Sequence, residues 1–313
     1  MNEQLHKSIE SISGTAQRKI PVRVWKPKHS EPKSVLVVSH GMGEHIDRYE
    51  SFAHFAVESG VAVIGANHRG HGEEAALHGH FDDELGWERV LGDLDCIVDY
   101  AKAQFACPVV LVGHSMGSFA ARHYAILHGA KLKGLVLCGS NYQSPLLFKT
   151  AKVIAHSQVK LFNKRHPSAL MEFLSFGAFN LSVKNPLTAM DWLNRDNAEV
   201  DKYIADPLCG FRCSAQFWVD FMGGLAWSSR QEHLKKIPSE LAVLVTSGDR
   251  DPVSRMGKGA QELQQVLRDC GLKKVDLKLY SGARHELFLE VNRQEFYQDL
   301  LNWINKMTCK SYL

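Results

Sequence analysis

The chain has 313 residues, 45% of them hydrophobic and 23% charged, which suits one large globular domain or two smaller ones with a substantial core. A net charge of +3, with no run of Lys or Arg longer than two residues, argues against nucleic-acid binding through bulk charge. No apolar run reaches the roughly 18 residues that a membrane-spanning helix requires.

The N-terminal stretch "MNEQLHKSIESISG" has no apolar segment and does not read as a secretory leader. "SIESISG" and "IPVRVWKP" alternate apolar and polar residues and predict an antiparallel edge hairpin. Six β-branched apolar runs then recur: "SVLVVS" (34–39), "VAVIGA" (61–66), "PVVLVG" (108–113), "GLVLCG" (134–139), "LAVLVTSG" (241–248) and "VDLKLYSG" (275–282). Each is bounded by Gly, Ser or Pro, as expected of strands buried on both faces. Amphipathic helical stretches at 51–59, 87–105, 115–128 and 257–270 lie between most of them. The alternation predicts an α/β fold with a mostly parallel sheet covered by helices. It breaks between 141 and 236, where segments such as "LLFKTAKVIAHSQVKLF", "SALMEFLSFGAF", "PLTAMDWLNRD" and "SAQFWVDFMGGLAW" read as helices without a strand. The expected organisation is a core of residues 1–140 and 237–313 with a helical cap, 141–236, inserted between two core strands.

The strongest chemical signal is Gly113-His114-Ser115-Met116-Gly117, at the junction of a strand and a helix. In this strand–turn–helix setting G-x-S-x-G lifts a serine hydroxyl above the carboxyl ends of the strands, at a helix N-terminus that favours developing negative charge. A nucleophilic serine needs a base and an orienting acid, in the chain order Ser, acid, His on this kind of sheet. The loop "SGDRDPVS" offers Asp251, with Asp249 as a rival closer to the strand end. The loop "SGARHELFLE" offers His285, the only histidine after residue 233.

An oxyanion also needs N–H donors. One is expected from the backbone of Met116, and the other from Met42 in "SHGMG", where Gly41 and Gly43 supply conformational freedom. Neither a G-K-[ST] phosphate loop nor a dinucleotide fingerprint is present, and acyl transfer of this kind calls for no cofactor. Seven histidines (40, 45, 54, 68, 71, 78 and 80) crowd 41 residues, yet they match no established zinc spacing. They read as loop-bracing groups, and no metal is expected. The seven cysteines (96, 107, 138, 209, 213, 270 and 309) are odd in number, scattered and without a C-x-x-C pair. They suit reduced thiols in a cytoplasm. Cys209 and Cys213 stand four apart, and nothing near them in sequence completes a metal site.

The segments "HGMGEHIDRYE", "ANHRGHG", "VGHSMGS", "DPLCGF", "SGDRDPVS" and "GARHELFLE" together span residues 40–290. On these the chain resembles the monoacylglycerol lipase and lysophospholipase group of α/β-hydrolases, also labelled serine aminopeptidase-like. The resemblance implies Ser115 as nucleophile, Asp251 rather than Asp249 as acid, His285 as base, and the Met42 and Met116 amides as oxyanion donors. Asn67 stands where the family often has Asp, at a position outside the catalytic set. The implied activity is hydrolysis of carboxylic esters through an acyl-enzyme. The expected substrate is a small ester with an acyl chain, housed in the cap region 141–236. The cap's apolar residues, among them Leu146, Phe148, Ile154, Leu161, Met171, Phe173, Phe176 and Phe179, suit either an acyl tunnel with transient membrane-surface contact or the cap's own core. A cytoplasmic enzyme, peripheral to the inner face of a membrane, is the location this suggests. A carboxylesterase for non-lipid esters and a binding protein with an idle triad are the alternatives.

Overall fold

The computed structural model describes residues 5–308, so the first four residues of the N-terminal stretch and Cys309 lie outside the described part. Eight strands form one sheet: β1 (Leu5–Ser13), β2 (Lys19–Pro27), β3 (Ser34–Ser39), β4 (Val61–Gly65), β5 (Val109–His114), β6 (Gly134–Cys138), β7 (Ala242–Gly248) and β8 (Val275–Tyr280). Their order is β1-β2-β4-β3-β5-β6-β7-β8. Strands β3 to β8 run parallel, while the β1–β2 hairpin joins β4 antiparallel at one edge.

Helices α1 (Glu50–Glu58), α2 (Gly86–Gln104) and α3 (Met116–His128) follow β3, β4 and β5. Five more stand between β6 and β7: α4 (Pro145–Leu161), α5 (Ala169–Phe176), α6 (Asn197–Ala205), α7 (Ala215–Ser228) and α8 (Gln231–Leu234). The chain closes with α9 (Lys258–Asp269) and α10 (Arg293–Thr308), which follow β7 and β8.

Successive strand residues point to opposite faces, so a run such as Val35-Leu36-Val37-Val38 fills two cores at once. Val35 and Val37 join the core beneath α2, α3, α7 and α9, whereas Leu36 and Val38 join the one beneath α1 and α10. This two-sided burial explains the continuous apolar runs, and it is the α/β-hydrolase arrangement that the resemblance implied. β8 departs from expectation. As an edge strand it exposes Asp276 and Lys278 and buries fully only Val275 and Tyr280. "PLTAMDWLNRD" departs as well, folding as a loop with one short 3-10 turn, Asp191–Leu193. The Asp191 carboxylate accepts the amides of Leu187 (2.6 Å) and Thr188 (3.2 Å) and the Thr188 hydroxyl, a local competition that withdraws the backbone from a helix.

Two close contacts position the loops above the strand ends. At the start of α3, a Cβ on Gly117 would stand 1.9 Å from the Ser39 carbonyl oxygen and 2.5 Å from that of His40. Only glycine lets the two turns touch. Farther out, His45 in the loop after β3 donates Nε2–H to the Asp206 carboxylate at the end of α6, 2.9 Å away. Burial opposes the charged imidazole, but the nearby carboxylates of Asp47 and Asp206 outweigh it and raise its pKa.

Gly117→Ala should therefore lower stability by about 2–3 kcal/mol, through overpacking against backbone that cannot yield, measurable by denaturant melts. For His45, a raised folded-state pKa means that its stabilisation is complete below the ordinary histidine range and is lost as pH rises through the folded value. The stability difference between wild type and His45→Gln, followed from about pH 6 to pH 9, should shrink as pH rises.

Candidate active site

Ser115 sits at the end of β5 with φ 50° and ψ −121°, a strained conformation for a residue with a side chain. Its flanking glycines are dictated by contact. A Cβ on Gly113 would meet the Gly117 carbonyl oxygen at 2.4 Å, and Gly117 is pressed against β3 as described. The Ser115 amide bonds to the Cys138 carbonyl of β6 at 2.9 Å, anchoring the turn from the other side. Ser115 is thus the N-cap of α3, and the Met116 amide begins the helix.

The loop "HGMGEH" lies directly opposite, with a Cβ on Gly41 only 3.2 Å from that of Ser115. Its conformation is set by neutral imidazole chemistry. His40 is wholly buried, and burial together with neighbouring His68 holds its pKa well below the usual range. Its Nε2 accepts the His68 amide (2.9 Å), which leaves Nδ1 to carry the proton donated to the Gly41 carbonyl (2.8 Å). In a trans peptide, N–H and C=O point in opposite directions. Fixing the Gly41 carbonyl therefore fixes the direction of the Met42 N–H. Among the described residues, no hydrogen bond from the Met42 amide in this loop or from the Met116 amide at the start of α3 reaches a loop or strand acceptor.

Glu44 braces the same loop. Its Oε1 accepts from the Gly41 amide (2.5 Å), Tyr49 Oη (2.8 Å) and His114 Nδ1 (3.0 Å), and its Oε2 accepts from Arg48 (3.0 Å). Burial alone would raise its pKa, but His114 and Arg48 hold it well below the carboxylate range. Arg48 in turn makes a bidentate pair with Glu286 at 2.6 and 3.0 Å. Burial opposes the charge on His114, Glu44 outweighs it, and the pKa is raised. The second nitrogen of His114 reaches the His285 carbonyl at 3.3 Å. Asn67 holds the loop's far end, accepting the Ile46 amide (2.9 Å) and donating to Glu74 (2.8 Å).

His285 and Asp251 are brought together, with Nδ1 to Oδ1 at 3.0 Å and side chains almost fully buried. The same Oδ1 accepts the Val253 amide (2.8 Å), and Oδ2 accepts the Ser247 hydroxyl (2.9 Å). Burial would raise this carboxyl, but His285 and these hydrogen bonds keep it below its ordinary value. With Nδ1 committed to Asp251, Nε2 is the free nitrogen. Asp249 serves elsewhere, accepting the Gly282 amide of the β8 turn at 2.8 Å. Trp192 covers His285 with ring centroids 5.3 Å apart.

Ser115, Met42, Phe176 and Trp218 line two cavities at once. The first, about 440 Å³, carries His285 and the polar groups of Glu44, Tyr203 and Glu286. The second, about 460 Å³, is walled by Leu147, Phe148, Ile154, Met171, Leu174, Phe221, Met222 and Leu225. The serine thus stands at the junction of two chambers with mostly apolar linings, of which the first also carries the charged and polar groups around His285.

The histidine-rich loops are braces. Burial pushes His68 and His71 down to about 3, and His68 Nε2 and His71 Nδ1 are occupied by Ser39 Oγ and the Arg69 carbonyl. Among the described residues, one trio could approach a metal: His45, Asp206 and Cys209, with ligand atoms within 4.8 Å of one another. There the His45–Asp206 hydrogen bond already engages two of the three, and burial raises the Cys209 thiol.

The sequence reading did not single out His114, Arg48, Glu286, Trp192 or Tyr203. The adjacency of His114 to Ser115 and of Glu286 to His285 was the available signal, but their partners lie far along the chain. No helix among the described residues is long and apolar enough to cross a membrane.

Comparison with known proteins extends this picture. The family model described as serine aminopeptidase, S33 matches residues 30–292. Human monoglyceride lipase is 30% identical over 297 residues, covering 91% of this chain and 86% of that protein. Monoacylglycerol lipase of Mycolicibacterium smegmatis is 26% identical, covering 95% of this chain and 97% of its own. A thermostable carboxyl esterase from Bacillus coagulans, solved with glycerol, superposes with a TM-score of 0.89 at 25% identity, covering 96% and 99% of the two chains. With the family model spanning most of its length, the chain belongs to the serine aminopeptidase, S33 family of α/β-hydrolases and is an ester-hydrolysing enzyme.

Proposed function

We propose that Ser115, His285 and Asp251 form a catalytic triad that cleaves lipid-like carboxylic esters, monoacylglycerols or lysophospholipids, with residues 141–236 acting as the cap that binds the acyl chain. His285 Nε2 takes the Ser115 proton as Oγ attacks the ester carbonyl. The Met42 and Met116 amides receive the oxyanion, and Asp251 stabilises the imidazolium. The imidazolium then protonates the departing alcohol. A water, deprotonated by the same imidazole, releases the carboxylate and regenerates Ser115. In the present geometry the Ser115 hydroxyl makes no hydrogen bond among the described residues. A serine–imidazole contact that tightens only with substrate bound is common in such sites.

The observation that carries the lipid reading is the serine's place between two mostly apolar chambers, only one of which also holds carboxylates. An acyl chain fits the one without them, and a hydroxyl-bearing alcohol fits the one holding Glu44, Tyr203 and Glu286. The cap residues divide accordingly. Phe148 and Met171 are buried, while Leu146, Val153, Leu161, Phe173, Leu181 and Leu187 are more than half exposed. That exposed apolar surface supports transient contact with a lipid surface at the inner face of a membrane. The likeness to a carboxyl esterase favours a second reading, an enzyme for shorter, non-lipid esters.

Ser115→Ala should abolish both ester hydrolysis and labelling by a fluorophosphonate probe, and undiminished hydrolysis by the folded variant would refute the triad. Asp251→Asn should lower kcat by about 10³–10⁴, the scale for a triad acid, whereas Asp249→Asn should leave kcat within a few-fold of wild type. On the lipid reading, kcat/KM should rise from acetyl to dodecanoyl esters of glycerol. Ala151→Trp, which fills the apolar chamber from α4, should remove the long-chain preference while sparing acetyl esters. A flat or falling profile in the wild type would instead support the short-ester enzyme.

A further inference from the structure

Arg122 lies on α3, seven residues beyond Ser115 and so two helical turns along the same face. It is wholly buried and has no carboxylate partner among the described residues. Burial pulls its pKa down to about 10. An uncompensated charge in such a place is costly, and an apolar side chain of similar volume would be better tolerated. Its hydrogen bonds are the reason to hold a guanidinium there. Nη1 donates to the Asn141 carbonyl at 2.9 Å and Nη2 to Ser229 Oγ at 3.2 Å, with the guanidinium over the Phe119 ring.

The path continues beyond Asn141. Asn141 Nδ2 donates to the Val253 carbonyl at 2.7 Å. The Val253 amide donates at 2.8 Å to Asp251 Oδ1, the oxygen that also faces His285 Nδ1 at 3.0 Å. One unbroken series of hydrogen bonds thus runs from the helix that bears the serine, through the segment after β6, to the acid of the pair. Arg122 lines neither chamber.

We infer that Arg122 and Asn141 are positioning residues for the acid, a strut that fixes the Asp251 turn relative to the helix carrying Ser115. The inference rests on the triad reading above. Without Arg122 the Asn141 carbonyl is left unpaired, the segment after β6 loses its anchor to α3, and the Val253 amide no longer holds Asp251 Oδ1 in place. Asp251 keeps its bond to Ser247, so the acid loosens without leaving.

The test uses the full chain and a p-nitrophenyl acetate substrate, too short to depend on the apolar chamber. Arg122→Met, Asn141→Ala and the double variant are each checked for folding by circular dichroism and thermal melting. Each single variant should lose about tenfold or more in kcat with KM within twofold of wild type. The double variant should be no worse than the poorer single one, because both break the same series. Arg122→Lys, which keeps one donor, should recover part of kcat. A folded Arg122→Met with wild-type kcat, a loss confined to KM, or losses that multiply in the double variant would each overturn the inference. If Arg122→Met does not fold, wild-type kcat in Asn141→Ala overturns it, and a selective loss of kcat there that Arg122→Lys shares supports it. Failure of the triad reading shows separately, as activity retained by Ser115→Ala.

Discussion

The site depends on the contact of two backbones. The turn after β5 and the loop after β3 touch where Gly117 meets the carbonyls of Ser39 and His40, and no side chain fits between them. Adjacent parallel strands bring the two loops to the same edge, with Ser39 paired to Gly113. That closeness sets the Ser115 hydroxyl beside the Gly41–Met42 peptide, and everything polar nearby is arranged to keep it so. The strain in the Ser115 backbone is tolerated because the turn is anchored on both sides, to Cys138 of β6 and to β3.

Around that contact burial and charge move the pKa values of the buried histidines in two directions, each for a physical reason. His40, His68 and His71 are buried without a carboxylate bonded to them, so desolvation holds them neutral and lets one ring both donate and accept. His114 is just as buried but bonds Glu44, and its pKa rises. Glu44, Arg48 and Glu286 make a buried network of alternating charge in which the Glu44 carboxylate accepts four hydrogen bonds and that of Glu286 two, both from Arg48. Such a network is rigid because breaking any single bond leaves an unpaired charge away from water. It joins the loop after β3, the residue before Ser115 and the residue after His285, and so ties together three loops that converge from distant parts of the chain.

The helices between β6 and β7 do a different job. α4 packs on α7, and between them and the sheet lies the apolar chamber. Aliphatic and aromatic residues of this segment therefore divide three ways: into its own core, the chamber wall and an exposed face. A list of hydrophobic positions cannot make that division, because all three fates reward the same residue types.

Much was legible in the sequence because its causes are local. Strands buried on both faces need unbroken apolar runs, so the parallel strands were readable to within a residue or two, and G-x-S-x-G between a strand and a helix marked Ser115. Where local and tertiary demands differ, the sequence was silent or misleading. β8 lies at an edge and turns Asp276 and Lys278 outward, and Asp191 withdraws its own neighbours from a helix. Spacing alone left Asp251 and Asp249 open, since both carboxylates follow the same strand; the family resemblance favoured Asp251, and that is the carboxylate found 3.0 Å from His285. The strut from Arg122 to Asp251 joins residues more than a hundred positions apart, and no pattern of spacing encodes such a pairing. The sequence by itself determined the alternation of strands and helices, the G-x-S-x-G turn and the residue types available for acid–base chemistry, because these follow from local periodicity and the steric needs of glycine. Only the tertiary structure decided which carboxylate meets which imidazole, which histidines stay neutral and where the apolar chamber opens, because burial and long-range hydrogen bonds exist only once the loops converge.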